Sequence, residues 1–184
     1  MKSVSLIILL VAATRFVGAP ADWVLCETKN CMVLFPGKPT ATTQMVSSAI
    51  GPLKLDINLY EVPRGSQDDN FIYLLNETAY PDSLVSSDKK EILDNFFSRA
   101  IDGAVSRVHG KLLTEKAIAL GKYPGREIRI NFQQGRAVIK MRMYLVKSIL
   151  FMLETITDPK FDGNKSIDRF MDSFQLRAEK TASS

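Results

Sequence analysis

Residues 127–145 read EIRINFQQGRAVIKMRMYL. Ile128, Ile130 and Phe132 alternate with Glu127, Arg129 and Asn131. After Gln133 to Gly135, a tight turn, Ile139, Met141, Met143 and Leu145 alternate with Lys140, Arg142 and Tyr144. Strict period two sends one set to one face of a strand and the other set to the opposite face. So short a connection returns the chain antiparallel to itself, because parallel neighbours need a crossover of roughly a dozen residues or more. The stretch therefore predicts a β-hairpin with one apolar and one basic face.

The same pattern continues on both sides. Lys111 to Ala119 reads as a strand running into the turn sequence Gly121-Lys122-Tyr123-Pro124-Gly125. Val146-Lys147-Ser148 turns the chain into Ile149 to Ile156, apolar at nearly every position, which predicts a strand covered on both faces. Upstream, Leu53, Leu55, Ile57 and Leu59 alternate with Lys54, Asp56, Asn58 and Tyr60. Arg64 to Asn70 is a polar loop, and Phe71 to Tyr80 resumes as strand until Pro81-Asp82. Cys31 to Phe35 is a short apolar run stopped by Pro36-Gly37.

Between these strands the period changes. Ile92, Phe96, Ala100, Ile101, Ala104, Val105 and Val108 recur at three- and four-residue steps, the stripe of an amphipathic helix, with Ser87 or Asp88 as its cap, Glu91 in its first turn and Gly110 beyond its end. Ile167, Phe170, Met171 and Phe174 predict a short closing helix. The expectation is an α+β domain: a mainly antiparallel β-sheet with one long helix and a short C-terminal helix packed on it.

The N-terminus reads as an export signal. Lys2 precedes the apolar run Val4 to Ala13, far short of the ~20 residues that span a bilayer, and Ala19-Pro20-Ala21 offers small residues for a cut after Ala21. The expected organisation is a signal peptide over 1–21, a single domain over 22–178 and a disordered tail over 179–184, in the periplasm or secreted. No second apolar run approaches membrane-spanning length. Losing Lys2 and Arg15 with the leader takes the formal charge from +4 to +2. That near-neutral balance argues against general nucleic-acid binding, which calls for a strongly basic domain.

Export bears on the two cysteines, Cys26 and Cys31, which flank Glu27-Thr28-Lys29-Asn30. Outside the cytoplasm disulfides persist, so a structural bridge across a hairpin is the leading reading, with free thiols and a metal site as alternatives. A zinc site needs two further ligands, and the sole histidine, His109, has no cysteine near it. No metal and no cofactor is expected.

Catalytic patterns are sparse. There is no G-x-S-x-G elbow, and Gly37-Lys38-Pro39-Thr40 lacks both the first glycine and the Lys-Ser/Thr pair of a phosphate loop. His109 stands alone at a helix end, without a nucleophile or an orienting partner in sequence. Asp158, Asp162, Asn164 and Asp168 form an acidic loop whose spacing does not fit an EF-hand and which Lys160 and Lys165 interrupt.

The sharpest surface feature is basic. Arg129, Lys140 and Arg142 share the hairpin face opposite the apolar one, Tyr144 continues it, and Arg126 and Arg136 lie near its ends. If open, this face is a candidate patch for an anionic ligand or an envelope protein, since guanidinium groups suit carboxylate and phosphate. The competing reading is a set of ordinary solvated positions balanced by Glu127 and Asp56.

Three strings, FPGKPT at 35–40, YPGREI at 123–128 and RFMDSFQL at 169–176, stand in order around the long helix. Together they resemble small exported bacterial proteins of unknown function, which are similar in turn to the Mog1/PsbP-like sandwich. The resemblance covers Trp23 to Leu176. It implies that fold and a bias toward non-catalytic binding, and no functional residue of Mog1 or PsbP matches a position here. The chain offers fewer helices than a full sandwich, which implies a sheet face left partly open. The expected function is a non-catalytic exported binding or accessory protein. The alternatives are a hydrolase with scattered acidic and hydroxyl residues, or a carrier of a small ligand held between helix and sheet.

Overall fold

A computed structural model describes residues 22–48 and 50–177, so the expected leader and the tail at 179–184 lie outside the described residues. The chain runs through β1 (Val24–Glu27), β2 (Cys31–Phe35), β3 (Thr40–Ser48), β4 (Gly51–Glu61) and β5 (Asn70–Ala79), then α1 (Lys90–Arg107). It continues through β6 (Lys111–Leu120), β7 (Tyr123–Phe132), β8 (Ala137–Val146) and β9 (Ile149–Thr157), and closes with α2 (Lys165–Asp172) and β10 (Gln175–Leu176). Seven strands form one antiparallel sheet in the order β3-β4-β5-β9-β8-β7-β6, and β1, β2 and β10 form a second, smaller one.

The hairpin read first is β7 and β8, with Ile130 opposite Ile139 and Ile128 opposite Met141. Its apolar face meets α1: Phe97 and Ile101 pack with Ile128, Ile130, Ile139, Met141 and Met143. The opposite face of the large sheet is covered by α2 and the small sheet, where Val33, Phe35, Ile167 and Phe170 pack on Tyr73, Leu75 and Leu153. The two faces of β9 thus reach two different cores, which explains its nearly unbroken apolar sequence. The α+β class, the dominant antiparallel sheet, the long helix and the short C-terminal helix are all present.

Some local readings differ from the expectation. Neither Ser87 nor Asp88 caps α1; the helix starts after Lys89 with no side-chain cap. Ser87 instead pins the loop to the β8–β9 turn, its N–H donating to the Lys147 carbonyl at 2.8 Å and its Oγ accepting from the Lys147 N–H at 3.1 Å. At the other end the left-handed residue is His109, with φ 50°, while Gly110 serves a close approach. A Cβ at Gly110 would lie 2.7 Å from the Asn131 carbonyl oxygen. β3 is almost wholly exposed, and its sequence TATTQMVSS shows no alternation to announce it.

α2 is anchored by polar groups as well as by its apolar side. Asn164 caps it, the side-chain oxygen accepting from Ser166 and Ile167 N–H groups at 3.0 and 3.1 Å. The Asn164 Nδ2 donates to Asn70 Oδ1 at 3.0 Å, and Asn70 is itself buried at the start of β5. Tyr73 donates to Asp68 at 2.8 Å, tying the polar loop to the same corner.

Candidate functional site

The residues expected to form an anionic-partner patch are brought together, but beneath a cover. Arg129 Nη2 donates to Asp162 at 2.7 Å. Lys140, 8% exposed, faces Asp168 at 3.4 Å. Arg142 donates through Nε to Glu127 and through Nη1 to Asp172, both at 2.6 Å. Tyr144 is buried, its ring stacked on Phe174 with centroids 5.8 Å apart. Apart from Glu127 of β7 itself, the acids come from the loop and helix at 158–172, so the acidic stretch there supplies counter-charge to the basic strand face. Burial works against the charge of Arg142, yet its hydrogen bonds to Glu127 and Asp172 raise its pKa further. Burial likewise opposes ionisation of Glu127, and the Arg142 hydrogen bond with the Lys140, Arg142 and Lys116 charges still holds its carboxyl below the usual range. The charges are matched within the chain, and what they hold is α2. Arg126 lies on the other face, its guanidinium 4.9 Å from the Phe97 ring centre and paired to Asp94 at 2.8 Å.

The cysteines are likewise placed differently from the expectation: both are free thiols, and no bridge joins Cys26 to Cys31. The hairpin between them does form, but its register sets Cys26 opposite Val33, which leaves Cys31 two residues along, a diagonal neighbour. Cys31 is fully buried, near Glu77 at 3.5 Å, and burial pushes its thiol pKa up strongly. Among the described residues, no group of three His, Cys, Asp or Glu side chains gathers where it could hold a metal ion. No helix among them is long and apolar enough to cross a membrane.

The site with unspent chemistry is on the α1 side. The large side chains of α1 lean toward β7 and β8, while Ala100, Gly103 and Ala104 face the middle of the sheet. Small residues there leave a half-enclosed cavity of about 450 Å³ between helix and sheet. Its floor is Leu53, Leu55 and Ile57 of β4, Leu74 and Asn76 of β5, and Met152 and Glu154 of β9. Arg99 and Arg107 stand on the helix wall, and a Cβ added at Gly103 would meet no atom within 4 Å. That volume falls within the about 300–1,000 Å³ of small-molecule sites.

Two polar groups in this apolar floor lack partners. Asn76 is 3% exposed; its Nδ2 donates to Thr78 Oγ1 at 3.2 Å, and its Oδ1 has no hydrogen-bond partner. Glu154 is set between Leu74 and Met141 in the register. Burial pushes its pKa from 4.5 up to about 7, the Arg107 charge opposes that rise, and no hydrogen bond contributes. It keeps partial accessibility only because it lines the cavity. Asn76 lies opposite Met152, so Asn76 and Glu154 are diagonal neighbours on one face. Sequence reasoning passed over both. The available signal was a carboxylate inside ILFMLET, a run otherwise apolar enough to be covered on both sides.

A polar groove on the opposite side, between the β1–β2 turn and β3–β4, ends at Glu77. There both carboxylate oxygens are engaged, by Asn30 Nδ2 at 2.8 Å and by the Cys31 thiol.

No protein-family model and no curated protein matches the sequence. Among solved structures, the chain is similar to cyanobacterial PsbP from Synechocystis, with a TM-score of 0.48 and 12% identity over 91% of this chain and 99% of that one. It is also similar to a Pseudomonas aeruginosa protein of unknown function, with a TM-score of 0.42 and 12% identity over 64% of this chain and 84% of the other. Both likenesses concern fold alone and carry no functional residue to this chain.

Proposed function

We propose that this chain is an exported, non-catalytic binding protein that carries a small, largely apolar molecule in the cavity between α1 and the sheet. The observation that carries the reading is the cavity floor: apolar side chains surround an amide oxygen with no hydrogen-bond partner and a carboxyl that burial pushes up against the Arg107 charge. Leaving a buried acceptor unpaired costs about 1–3 kcal/mol, a cost that a bound molecule removes. Export with a cut after Ala21 belongs to the same reading and rests on the apolar leader and the small residues at 19–21. A hydrolase that works with paired carboxylates finds less support, because Glu154 is the one carboxylate among the described residues lining the cavity.

The test is binding of N-phenyl-1-naphthylamine, an apolar fluorophore with one N–H donor. The wild-type chain should bind it near one to one with a rise in fluorescence, and Gly103→Met should lose that binding while staying folded. Gly103 lines the cavity from helical backbone with open space before its Cβ, so a longer side chain there has room to narrow the cavity mouth. Equal binding by Gly103→Met, or no binding by wild type, would refute the assignment. N-terminal sequencing of the native protein should begin at Asp22.

A further inference from the structure

The cavity floor holds two acceptor groups with unfilled capacity, which bears on the chemistry of the ligand. Asn76 gives one of its two N–H groups to Thr78 and keeps a bare acceptor at Oδ1, and Glu154 presents a carboxyl with no hydrogen bond. Resting on the carrier reading above, we propose that the ligand is an amphipathic amine: an apolar body against Leu53, Leu55 and Ile57, with an ammonium head shared by the Glu154 carboxylate and Asn76 Oδ1.

Three candidate heads separate on simple grounds. A carboxylate would face the Asn76 oxygen and a like charge in the floor, and would have to draw its donors from the Thr78 and Tyr80 hydroxyls and the Arg99 and Arg107 guanidiniums of the lining. A hydroxyl brings a single proton for two acceptors. An ammonium brings three donors and the opposite charge, and a charge-assisted hydrogen bond in a partly dry site is roughly twice as strong as a neutral one. The other ionisable groups facing the cavity are Arg99 and Arg107 on α1 and Tyr80 just beyond β5, whereas β3, β4, β7 and β8 contribute no charged side chain to it. The two arginines are exposed on the helix wall, where water screens them, and Glu154 lies in the floor. Arg107 lies close enough for its charge to act on Glu154, so it competes with an ammonium for the carboxylate.

Proton linkage follows from the seat. Burial pushes Glu154 up to about 7, so below that pH an ammonium must first expel the proton from the carboxyl. Affinity for an amine therefore falls as pH drops from 8 to 5, by up to about tenfold per unit once below the pKa. An alcohol shows no such fall.

Three probes of one chain length decide the matter: octylamine, octanol and octanoate, titrated by displacement of N-phenyl-1-naphthylamine from the full chain at pH 5 to 8. At pH 8 octylamine should bind at least tenfold tighter than either of the others. In Glu154→Gln that preference should vanish. Octanoate binding tightest, or an amine preference that survives Glu154→Gln, would overturn the amine assignment and leave the carrier intact. Failure of all three probes and of the fluorophore would remove the carrier reading as well.

Discussion

Replacing Glu154 by Gln should make the protein more stable at pH 8 and take away most of its pH dependence between 5 and 8. Burial moves the carboxyl from 4.5 to about 7 in the folded chain. Between those values the folded state keeps a proton that the unfolded chain has released, so unfolding free energy falls as pH rises. The penalty is absent below about 4.5, where both states are protonated, and complete above about 7, where both are ionised. A shift of that span at about 1.36 kcal/mol per unit amounts to roughly 3 kcal/mol. Carboxyls held low act in the other direction and in another window. Glu127, and Asp56 with its Lys54 and Thr43 hydrogen bonds, contribute stability that is lost only as pH falls through their lowered pKa values. Urea unfolding followed by far-ultraviolet circular dichroism at pH 5, 6, 7 and 8 isolates the Glu154 contribution. Wild type should lose about 2.5 kcal/mol across that range and Glu154→Gln should stay nearly level, the two drawing together toward pH 5. Parallel curves for the two proteins, or a wild type that gains stability toward pH 8, would refute the buried, unpaired carboxyl on which the ligand argument stands.

Arg142→Met should cost about 2 kcal/mol in urea unfolding at neutral pH, because it leaves Glu127 partly buried without its partner and frees Asp172 of α2. A variant as stable as wild type would show that these ion pairs do not hold the helix. In the native state Cys31 should resist a thiol-specific reagent, and both cysteines should react once guanidinium unfolds the chain. Two cysteines blocked until a reductant is added would show a bridge that the observed register does not make.

Much of the architecture was legible because it is local. Ile128, Ile130 and Phe132 needed only their own spacing to announce a strand, and the turn at 133–135 needed only its length to impose antiparallel pairing. β3 escaped, since a fully exposed edge strand carries no apolar alternation. The site was harder. Arg129, Lys140 and Arg142 were rightly placed on one face, but whether that face meets water depends on Asp162, Asp168 and Asp172 arriving later in the chain.

By itself the sequence determined most of the large-sheet strands, the two helices and the neighbours joined by short turns, because side-chain period and turn chemistry act over a few residues. Tertiary structure alone decided that β9 slots between β5 and β8, that α2 neutralises the basic strand face, and that Ala100, Gly103 and Ala104 leave space above Glu154 and Asn76. Those outcomes depend on the lateral order of strands and the lean of one helix, and such long-range packing leaves no periodic mark on the chain.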